Sequence, residues 1–198
     1  MGKKIAITGG IGSGKSYVAG YIKNLGYSVF SCDEIYKELC KTSSYVQKIQ
    51  CIFPEVVINN AIDKKMLAQI VFSNKTQLEK LNRLSHPLIM KKLYQEMDAA
   101  HGNLIFAEVP LLFEGGYETS FDETIFVKRN LSSRVQGIVQ RDKIRQKEAL
   151  ARIRNQIDFA CVETRIQEKK LIVHFINNEG TLDDLEIQID KIIQHLNG

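Results

Sequence analysis

The segment Gly9-Gly10-Ile11-Gly12-Ser13-Gly14-Lys15-Ser16 decides the fold of this 198-residue chain. It follows the apolar run Lys4-Ile-Ala-Ile-Thr8 and fits the pattern G-x-x-x-x-G-K-S/T. After Ser16, apolar residues recur at helical spacing as far as Gly26, so a strand, a glycine-rich loop and a helix are predicted in that order. In such a loop, the backbone N–H groups and the positive end of the helix face an anion. The segment therefore predicts a phosphate-binding loop.

The residues of this loop have separate expected roles. The side chain of Lys15 should reach the β- and γ-phosphates of ATP, and the hydroxyl of Ser16 should bind the Mg²⁺ that accompanies the nucleotide. The residues expected to contact ATP are Gly10, Ile11, Gly12, Ser13, Gly14, Lys15, Ser16 and Tyr17. The same glycines do not spell G-x-G-x-x-G, so a Rossmann dinucleotide site is disfavoured.

Short apolar runs predict the other strands of a parallel sheet. These strands are expected at residues 27–32, 104–109, 123–128 and 171–176, and a closing amphipathic helix is expected at residues 182–196. Residues from 34 to about 103 have helical patterns and no convincing strand, with breaks at Pro54, Asn59-Asn60 and His86-Pro87. The predicted fold is α/β, a P-loop nucleoside triphosphate hydrolase-like three-layer sandwich with a central parallel sheet. We expect a single kinase domain with a helical insertion at about 34–103.

The net charge of +4 is unevenly distributed along the chain. Residues 128–170 hold 12 of the 27 Lys and Arg residues but 5 of the 23 Asp and Glu residues. A local basic cluster favours a small anionic ligand over a nucleic-acid track, although solvated helix faces would give a similar count.

The cysteine spacing and the N-terminal sequence argue against export. The four cysteines form no CxxC pair, and the sequence begins with a strand-like run instead of a charged leader followed by an apolar core. The apolar runs are all shorter than a membrane span. We therefore expect a cytoplasmic protein that works on small molecules, without a nucleic acid, a membrane or an obligate protein partner.

Asp33 is the leading candidate for a general base. It follows the second predicted strand, and parallel strands of an open α/β sheet bring their carboxyl ends to the ligand crevice. A carboxylate there could accept the proton of an acceptor hydroxyl close to the γ-phosphate. Equally, Asp33 could cap the N-terminus of the helix that follows. The local sequence leaves both interpretations open.

Further motifs follow one another between about Lys4 and Gly180. They are Ile7-Thr-Gly-Gly-Ile-Gly-Ser-Gly-Lys-Ser16, Asp33, Leu81-Asn82 with His86-Pro87-Leu88-Ile89, Val109-Pro110-Leu111-Leu112-Phe113-Glu114, Arg141-Asp142 and Arg152-Ile-Arg-Asn-Gln156. In this order and spacing, they resemble the dephospho-coenzyme A kinases over nearly the whole chain. The later motifs are weak one by one, and their specificity comes from their order.

The resemblance implies a reaction. The γ-phosphoryl group of ATP would be transferred to the ribose 3′-hydroxyl of dephospho-CoA, giving CoA and ADP in the last step of coenzyme A biosynthesis. Asp33 would be the base, and Arg141 resembles the family's lid arginine, within a lid at about 141–170. A guanidinium suits bidentate contact with phosphate, and the alternative for Arg141 is a solvated helix residue. For Arg134, Arg145, Arg152 and Arg154, a solvated helix residue is at least as good an interpretation as a phosphate contact.

The resemblance, together with the positions at the end of the strand predicted at 104–109, indicates the remaining site residues. The residues expected to bind the acceptor are Thr8, Asp33, His86, Pro110 and Leu111. Glu108 could hold a Mg²⁺-bound water, or it could be a buried carboxylate paired to a loop amide. For His86, a structural or substrate-contact role at a helix boundary outweighs catalysis.

Two positions depart from the family pattern. Tyr17 stands where a small hydroxyl residue is common, and Asn177 stands where Asp is common. Asn178, which follows, is expected to contact the adenine of ATP, and the departure at Asn177 bears on that contact.

Two rival functions stay open. Another small-molecule P-loop kinase, acting on a nucleoside monophosphate or a sugar acid, would share the loop, the sheet and the lid. A nucleotide-binding regulatory module would keep Lys15 and Ser16 but would have no need of Asp33. Binding of ATP without production of ADP would support the second rival.

Overall fold

The computed structural model describes residues 2–198, except for the side chain of Phe72. Two compact units make up the chain. One contains the residues up to Phe30 together with Met97–Gly198, and the other contains Ser31–Glu96. Among the described residues, no helix is both long enough and apolar enough to cross a membrane.

The first unit contains both strands and helices, and helices dominate the second. The strands are β1 (Lys3–Thr8), β2 (Ser28–Ser31), β3 (Val57–Ile58), β4 (Ala61–Ile62), β5 (Leu104–Glu108), β6 (Glu123–Lys128) and β7 (Val173–Asn177). The helices are α1 (Lys15–Asn24), α2 (Cys32–Leu39), α3 (Ser43–Ile52), α4 (Lys64–Ser73), α5 (Lys75–Ala99), α6 (Leu131–Asp142), α7 (Gln146–Arg154), α8 (Phe159–Glu168) and α9 (Leu182–Asn197).

A five-stranded sheet with the order β2-β5-β1-β6-β7 forms the centre of the fold. The pairs β1–β5, β1–β6 and β6–β7 are parallel, so these strands end at one edge of the sheet. Every residue of β5 is buried, as expected for a strand that is covered on both faces. The predicted α/β class with a central parallel sheet is confirmed.

The main core lies where α1 and α9 cover one face of this sheet. Val18 and Ile22 of α1 and Ile189 of α9 are fully buried against strand residues that include Ile5 and Ile125. Burial of side chains of this size contributes roughly 1.5–3 kcal/mol each. The closing helix predicted at 182–196 is confirmed as α9, which begins with a capping box between Thr181 and Asp184.

Residues 31–96 pack around their own apolar core. The buried side chains of this core are Cys40, Tyr45, Ile49, Phe53, Val56, Leu67, Val71 and Leu81. The hydroxyl groups of Tyr45 and Ser85 are 2.7 Å apart inside it, and Ser85 Oγ also donates to the carbonyl of Leu81. These bonds satisfy the hydroxyl groups of Tyr45 and Ser85, which the packing buries.

The expectation of no strand within 34–103 is wrong at one place. Residues 57–62 form a small antiparallel hairpin, in which Val57 pairs with Ile62 and Ile58 with Ala61. Asn59 and Asn60 occupy its turn with φ values of 50° and 59°. Asn tolerates this left-handed conformation, which a two-residue hairpin turn requires. Strands of two residues are too short to show an apolar period in the sequence.

The expectation of a helix boundary at His86-Pro87 is also wrong. Pro87 lies inside the 25-residue helix α5. Proline leaves the carbonyl of Arg83 without an intrahelical N–H partner, and this ordinarily favours a break. The buried positions Leu81, Ser85, Ile89 and Leu93 continue at a spacing of four residues through the proline. Packing along this face keeps the helix continuous.

Candidate active site

The phosphate-binding loop lies between β1 and α1, as predicted. Gly14 caps α1 in the left-handed conformation with φ 96°, and Gly12 has φ 77°. Side chains other than glycine rarely adopt such values. Ser13 N–H donates to the carbonyl of Gly10 at 3.0 Å and tightens the loop into a turn. The N-terminus of α1, and with it Lys15, therefore faces the loop.

A cavity of about 680 Å³ lies beside the loop at the carboxyl edge of the sheet. Its lining includes Thr8, Gly9, Gly10, Ser13, Pro110, Glu114, Lys128, Arg134 and Gln156. The hydroxyl of Ser13 is buried and has no hydrogen-bond partner among the described residues. An orphaned donor in a phosphate loop fits a ligand that brings acceptor oxygens.

Ser16 and Glu108 form a pair of oxygen ligands next to the loop. Ser16 Oγ donates to Glu108 Oε1 at 2.6 Å, and Glu108, at the end of β5, is 7% exposed. Glu108 is opposite Ile7 in the β1–β5 register, which explains why a residue 92 positions away reaches the loop. The partner of Glu108 is thus a hydroxyl group, whereas the alternative interpretation predicted a loop amide.

These oxygens fit a magnesium ion. Mg²⁺ prefers hard oxygen ligands and is usually held by one or two protein groups together with phosphates and waters. In the part of the chain that is described, no cluster of three or more His, Cys, Asp or Glu side chains could hold a metal alone. Ser16 and Glu108 are therefore the residues that could contribute oxygen ligands to an ion that arrives with a nucleotide.

Two side chains contact the loop in a way that the sequence does not predict. Gln156 Oε1 accepts from Ile11 N–H at 2.6 Å, and Arg134 Nε donates to the carbonyl of Ile11 at 2.9 Å. Burial lowers the pKa of Arg134, whose side chain lies partly within the protein. A signal for Gln156 exists, since it ends the motif Arg152-Ile-Arg-Asn-Gln156, but the motif by itself does not indicate which group Gln156 contacts.

The turn after β5 is tied to α8. The carboxylate of Glu118 is buried and lies 2.7 Å from Lys169 Nζ and 3.5 Å from Arg165 Nη1. Glu114 Oε1 accepts from Ile157 N–H at 3.3 Å. Part of the Glu114 side chain is exposed. Desolvation of its carboxyl group nevertheless raises the pKa of Glu114, and the charges of Arg165 and Lys15 oppose this rise. Glu114 therefore shares the electrostatic environment of Lys15.

The predicted base lies in the other unit. Asp33 is exposed and is the second residue of α2, after β2 has ended at Ser31. The N-cap of α2 is Ser31, so the interpretation of Asp33 as the cap is wrong. His86 lies inside α5, where burial lowers its pKa from the usual 6.5.

Arg141 lies near the end of α6 and is exposed. Its Nε donates to Asp142 Oδ1 at 2.7 Å, and Arg152 Nη1 donates to Asp142 Oδ2 at 2.6 Å. The bond from Arg141 is the main reason why the pKa of Asp142 lies below its usual value. The structure thus pairs Arg141 with a neighbour, whereas it places Arg134 on the loop.

The other predicted residues fall around the loop or beside it. Asn178 Nδ2 donates to the carbonyl of Ser13 at 2.8 Å, so Asn178 contacts the loop itself. Tyr17 Oη donates to Glu186 of α9 at 2.6 Å, which gives the bulky residue after Ser16 a partner on the neighbouring helix. Thr8 Oγ1 donates to the carbonyl of Val109 at 2.8 Å. Pro110 lines the cavity, and Leu111 is half-buried after it.

Comparison with known proteins identifies the family. The sequence model described as Dephospho-CoA kinase matches residues 3–184. The dephospho-CoA kinase of Thermus thermophilus is 32% identical over 194 residues, covering 98% of this chain and 92% of that relative. The relative from Fusobacterium nucleatum is 32% identical over 192 residues and covers 96% of each chain.

Solved structures agree with this result. The crystal structure of TT1252 from Thermus thermophilus has a TM-score of 0.80 at 32% identity and covers 100% of this chain and 99% of its own. A shikimate kinase from Bacteroides thetaiotaomicron has a TM-score of 0.54 at 12% identity, over 99% of each chain, and shares the fold alone. The chain therefore belongs to the dephospho-CoA kinase family, whose members transfer a phosphoryl group from ATP to dephospho-CoA.

Proposed function

We propose that this chain transfers the γ-phosphoryl group of ATP to the 3′-hydroxyl of the ribose of dephospho-CoA, giving CoA and ADP. The contact between Ser16 Oγ and Glu108 Oε1, at the root of a glycine-rich loop that carries Lys15, is the observation that supports the ATP half of this reaction most strongly. A cytoplasmic location stays a prediction from the sequence.

The loop and its neighbours would bind the triphosphate. Lys15 and the loop amides would neutralise charge on the phosphates, and Ser16 with Glu108 would hold Mg²⁺, Glu108 through a water. The ion, when bound, would neutralise charge on the phosphates during transfer. Asn178, which bonds to the carbonyl of Ser13, would contact the adenine of ATP.

Asp33 would be the base for the acceptor hydroxyl. Its carboxylate is exposed and follows a strand of the central sheet by two residues, a position from which sheet enzymes commonly present catalytic groups. It would orient the ribose and accept its proton. Thr8, His86, Pro110 and Leu111 would contribute contacts to the acceptor.

Arg141 would contribute a cation to the transferred group. In this structure Arg141 bonds to Asp142, so its role would require that it exchange that partner for phosphate when residues 141–170 close. A closed lid would also exclude water, which otherwise competes as the acceptor.

An acceptor panel tests the proposal. ADP release coupled to a reporter would be compared for dephospho-CoA, AMP, CMP, gluconate and shikimate, with 3′-deoxy-dephospho-CoA as the matched control. We expect ADP release with dephospho-CoA and not with its 3′-deoxy analogue. Absence of a response to dephospho-CoA would defeat the proposal, and ATP binding without any ADP would favour a regulatory module.

A further inference from the structure

Side chains from outside the phosphate loop hold both backbone groups of Ile11. Its N–H donates to Gln156 Oε1 at 2.6 Å, and its carbonyl oxygen accepts from Arg134 Nε at 2.9 Å. Arg134 Nη2 also donates to Gln156 Oε1 at 3.2 Å, which closes the set. Ile11, Arg134 and Gln156 are therefore all joined by hydrogen bonds to one another.

The side chain of Ile11 is also engaged. It packs against the apolar cluster between α6 and α7, whose buried members are Val135, Ile138 and Ala149. Ile153, in the last turn of α7, belongs to the same cluster. A residue of the phosphate loop is therefore part of the small core that joins these two helices.

The glycines beside Ile11 leave no space between the loop and Arg134. A Cβ atom at Gly10 would lie 2.4 Å from Arg134 Nη2, and one at Gly12 would lie 2.9 Å from the carbonyl oxygen of Arg134. The loop backbone therefore packs against Arg134 with no room for a side chain between them. Because closely packed groups cannot interpenetrate, a shift of α6 toward the loop would press on the loop backbone.

The chain is attached to different neighbours before and after Gln156. Before it, α7 is attached to α6 through the apolar cluster and through the bond from Arg152 to Asp142 at 2.6 Å. Directly after it, Ile157 N–H bonds to Glu114, in the turn that follows β5. A movement of α7 would thus reach the phosphate loop through Gln156 as well as through the side chain of Ile11.

We propose that Arg134 and Gln156 are positioning residues that couple α7 to the phosphate loop, so that ATP binding and the position of α7 depend on each other. This inference rests on the proposed function, since ATP is taken as the ligand of the loop. The neutral amide of Gln156 is suited to this positioning role. A carboxylate at position 156 would accept the same two hydrogen bonds but would place a negative charge beside the loop that binds an anion.

Two substitutions of Gln156 separate the bond from the charge. Gln156→Ala removes the acceptor, so we expect the Kd for ATP to rise about fivefold, the loss that corresponds to one hydrogen bond. Gln156→Glu keeps the acceptor, so its melting temperature should match that of the wild type, yet its Kd for ATP should rise about tenfold and recover partly at high salt. Gln167→Ala, which changes an exposed glutamine on α8, is the matched control and should leave both values unchanged.

A second readout separates positioning from simple stabilisation. ADP formation without dephospho-CoA, divided by the rate of phosphoryl transfer, reports how well the closed site excludes water. We expect Gln156→Ala to raise this ratio several-fold. We also expect Arg134→Lys combined with Gln156→Ala to raise the Kd for ATP by less than the product of the single effects, because both act through Ile11.

The outcomes are distinct. If Gln156→Ala lowers the melting temperature but leaves the Kd and the ADP ratio at wild-type values, the proposal is wrong. If Gln156→Ala does not fold, the Kd for ATP and the ADP ratio of Arg134→Lys decide, and wild-type values of both in that variant overturn the proposal. A wild-type protein that neither binds ATP nor phosphorylates dephospho-CoA would instead overturn the proposed function.

Discussion

The phosphate loop and the 31–96 unit are built on different kinds of contact. Five hydrogen bonds join Thr8, Ile11, Ser13 and Ser16 to residues that are 92 to 165 positions away in the sequence. Residues 31–96 instead pack around apolar side chains such as Ile49 and Phe53. The loop is thus positioned by directional bonds, as phosphate binding demands, whereas the helical unit depends mainly on shape and apolar burial. Substitutions in the two regions should therefore fail in different ways.

The largest effect on activity is expected at Lys15. Lys15→Ala should lower kcat/KM by about 10³- to 10⁵-fold, because a cation that offsets charge in phosphoryl transfer is lost. Steady-state kinetics with dephospho-CoA would measure the effect. Lys23→Ala, in the last turn of the same helix, removes an equal charge and should be nearly silent. Equal losses in the two variants would show that the general charge of α1 matters rather than the loop.

Asp33 tests the catalytic contribution of the helical unit. Asp33→Asn should lower kcat by about 10²- to 10⁴-fold and should leave the Kd for ATP within a few-fold of the wild type, because a general base is lost and the loop is intact. Calorimetric titration with ATP, beside turnover measurements, would separate the two. Glu34→Gln changes the next carboxylate of the same turn and serves as the control. Near-normal turnover of Asp33→Asn would remove the base assignment.

Ile49 tests the apolar basis of the helical unit. Ile49 is fully buried in α3, so Ile49→Ala should lower the free energy of unfolding by about 3 kcal/mol through lost burial and a cavity. Chemical denaturation would measure the change. Ile52→Ala lies on the same helix at a position that is 38% exposed and should cost much less. Similar losses in the two variants would argue against this core.

His86 should give the smallest effect, a dependence of stability on pH. Burial lowers its pKa in the folded protein, so the unfolded chain binds the proton more readily. The contribution of His86 to stability is therefore complete above the usual value of 6.5, is lost as the pH falls through the folded pKa, and is constant below it. His86→Asn should shrink the drop in melting temperature between about pH 7.5 and about pH 5, and His101→Asn, an exposed control, should not. An unchanged drop in His86→Asn would contradict the account.

Local patterns predicted the elements that position the loop. The strand at 123–128 and the loop after β1 carry their signals within a few residues, as apolar runs and glycines that need positive φ. The Asn59-Asn60 hairpin was missed because its strands are shorter than one apolar period. The continuous α5 was missed because packing, which the sequence near Pro87 does not reveal, outweighs the local preference of proline.

The site could be predicted only where its residues lie close together in sequence or follow a strand. The contact of Ser16 with Glu108 follows from two neighbouring parallel strands, and Glu108 is a candidate from the sequence because it lies near the end of the strand at 104–109. Arg134 and Gln156 reach Ile11 across 123 and 145 residues, and no local spacing marks them as partners. For Arg134 the sequence leaves open a phosphate contact and a solvated helix residue, and neither interpretation predicts its bond to the loop backbone.

The central claim is that one phosphoryl group passes from ATP to the ribose 3′-hydroxyl of dephospho-CoA. Phosphorus NMR of the reaction mixture tests it directly, because it distinguishes a 3′-phosphomonoester from inorganic phosphate. We predict one new 3′-phosphomonoester for each ADP formed. ADP accompanied by inorganic phosphate alone, or by a phosphate at another position of the acceptor, would contradict the account.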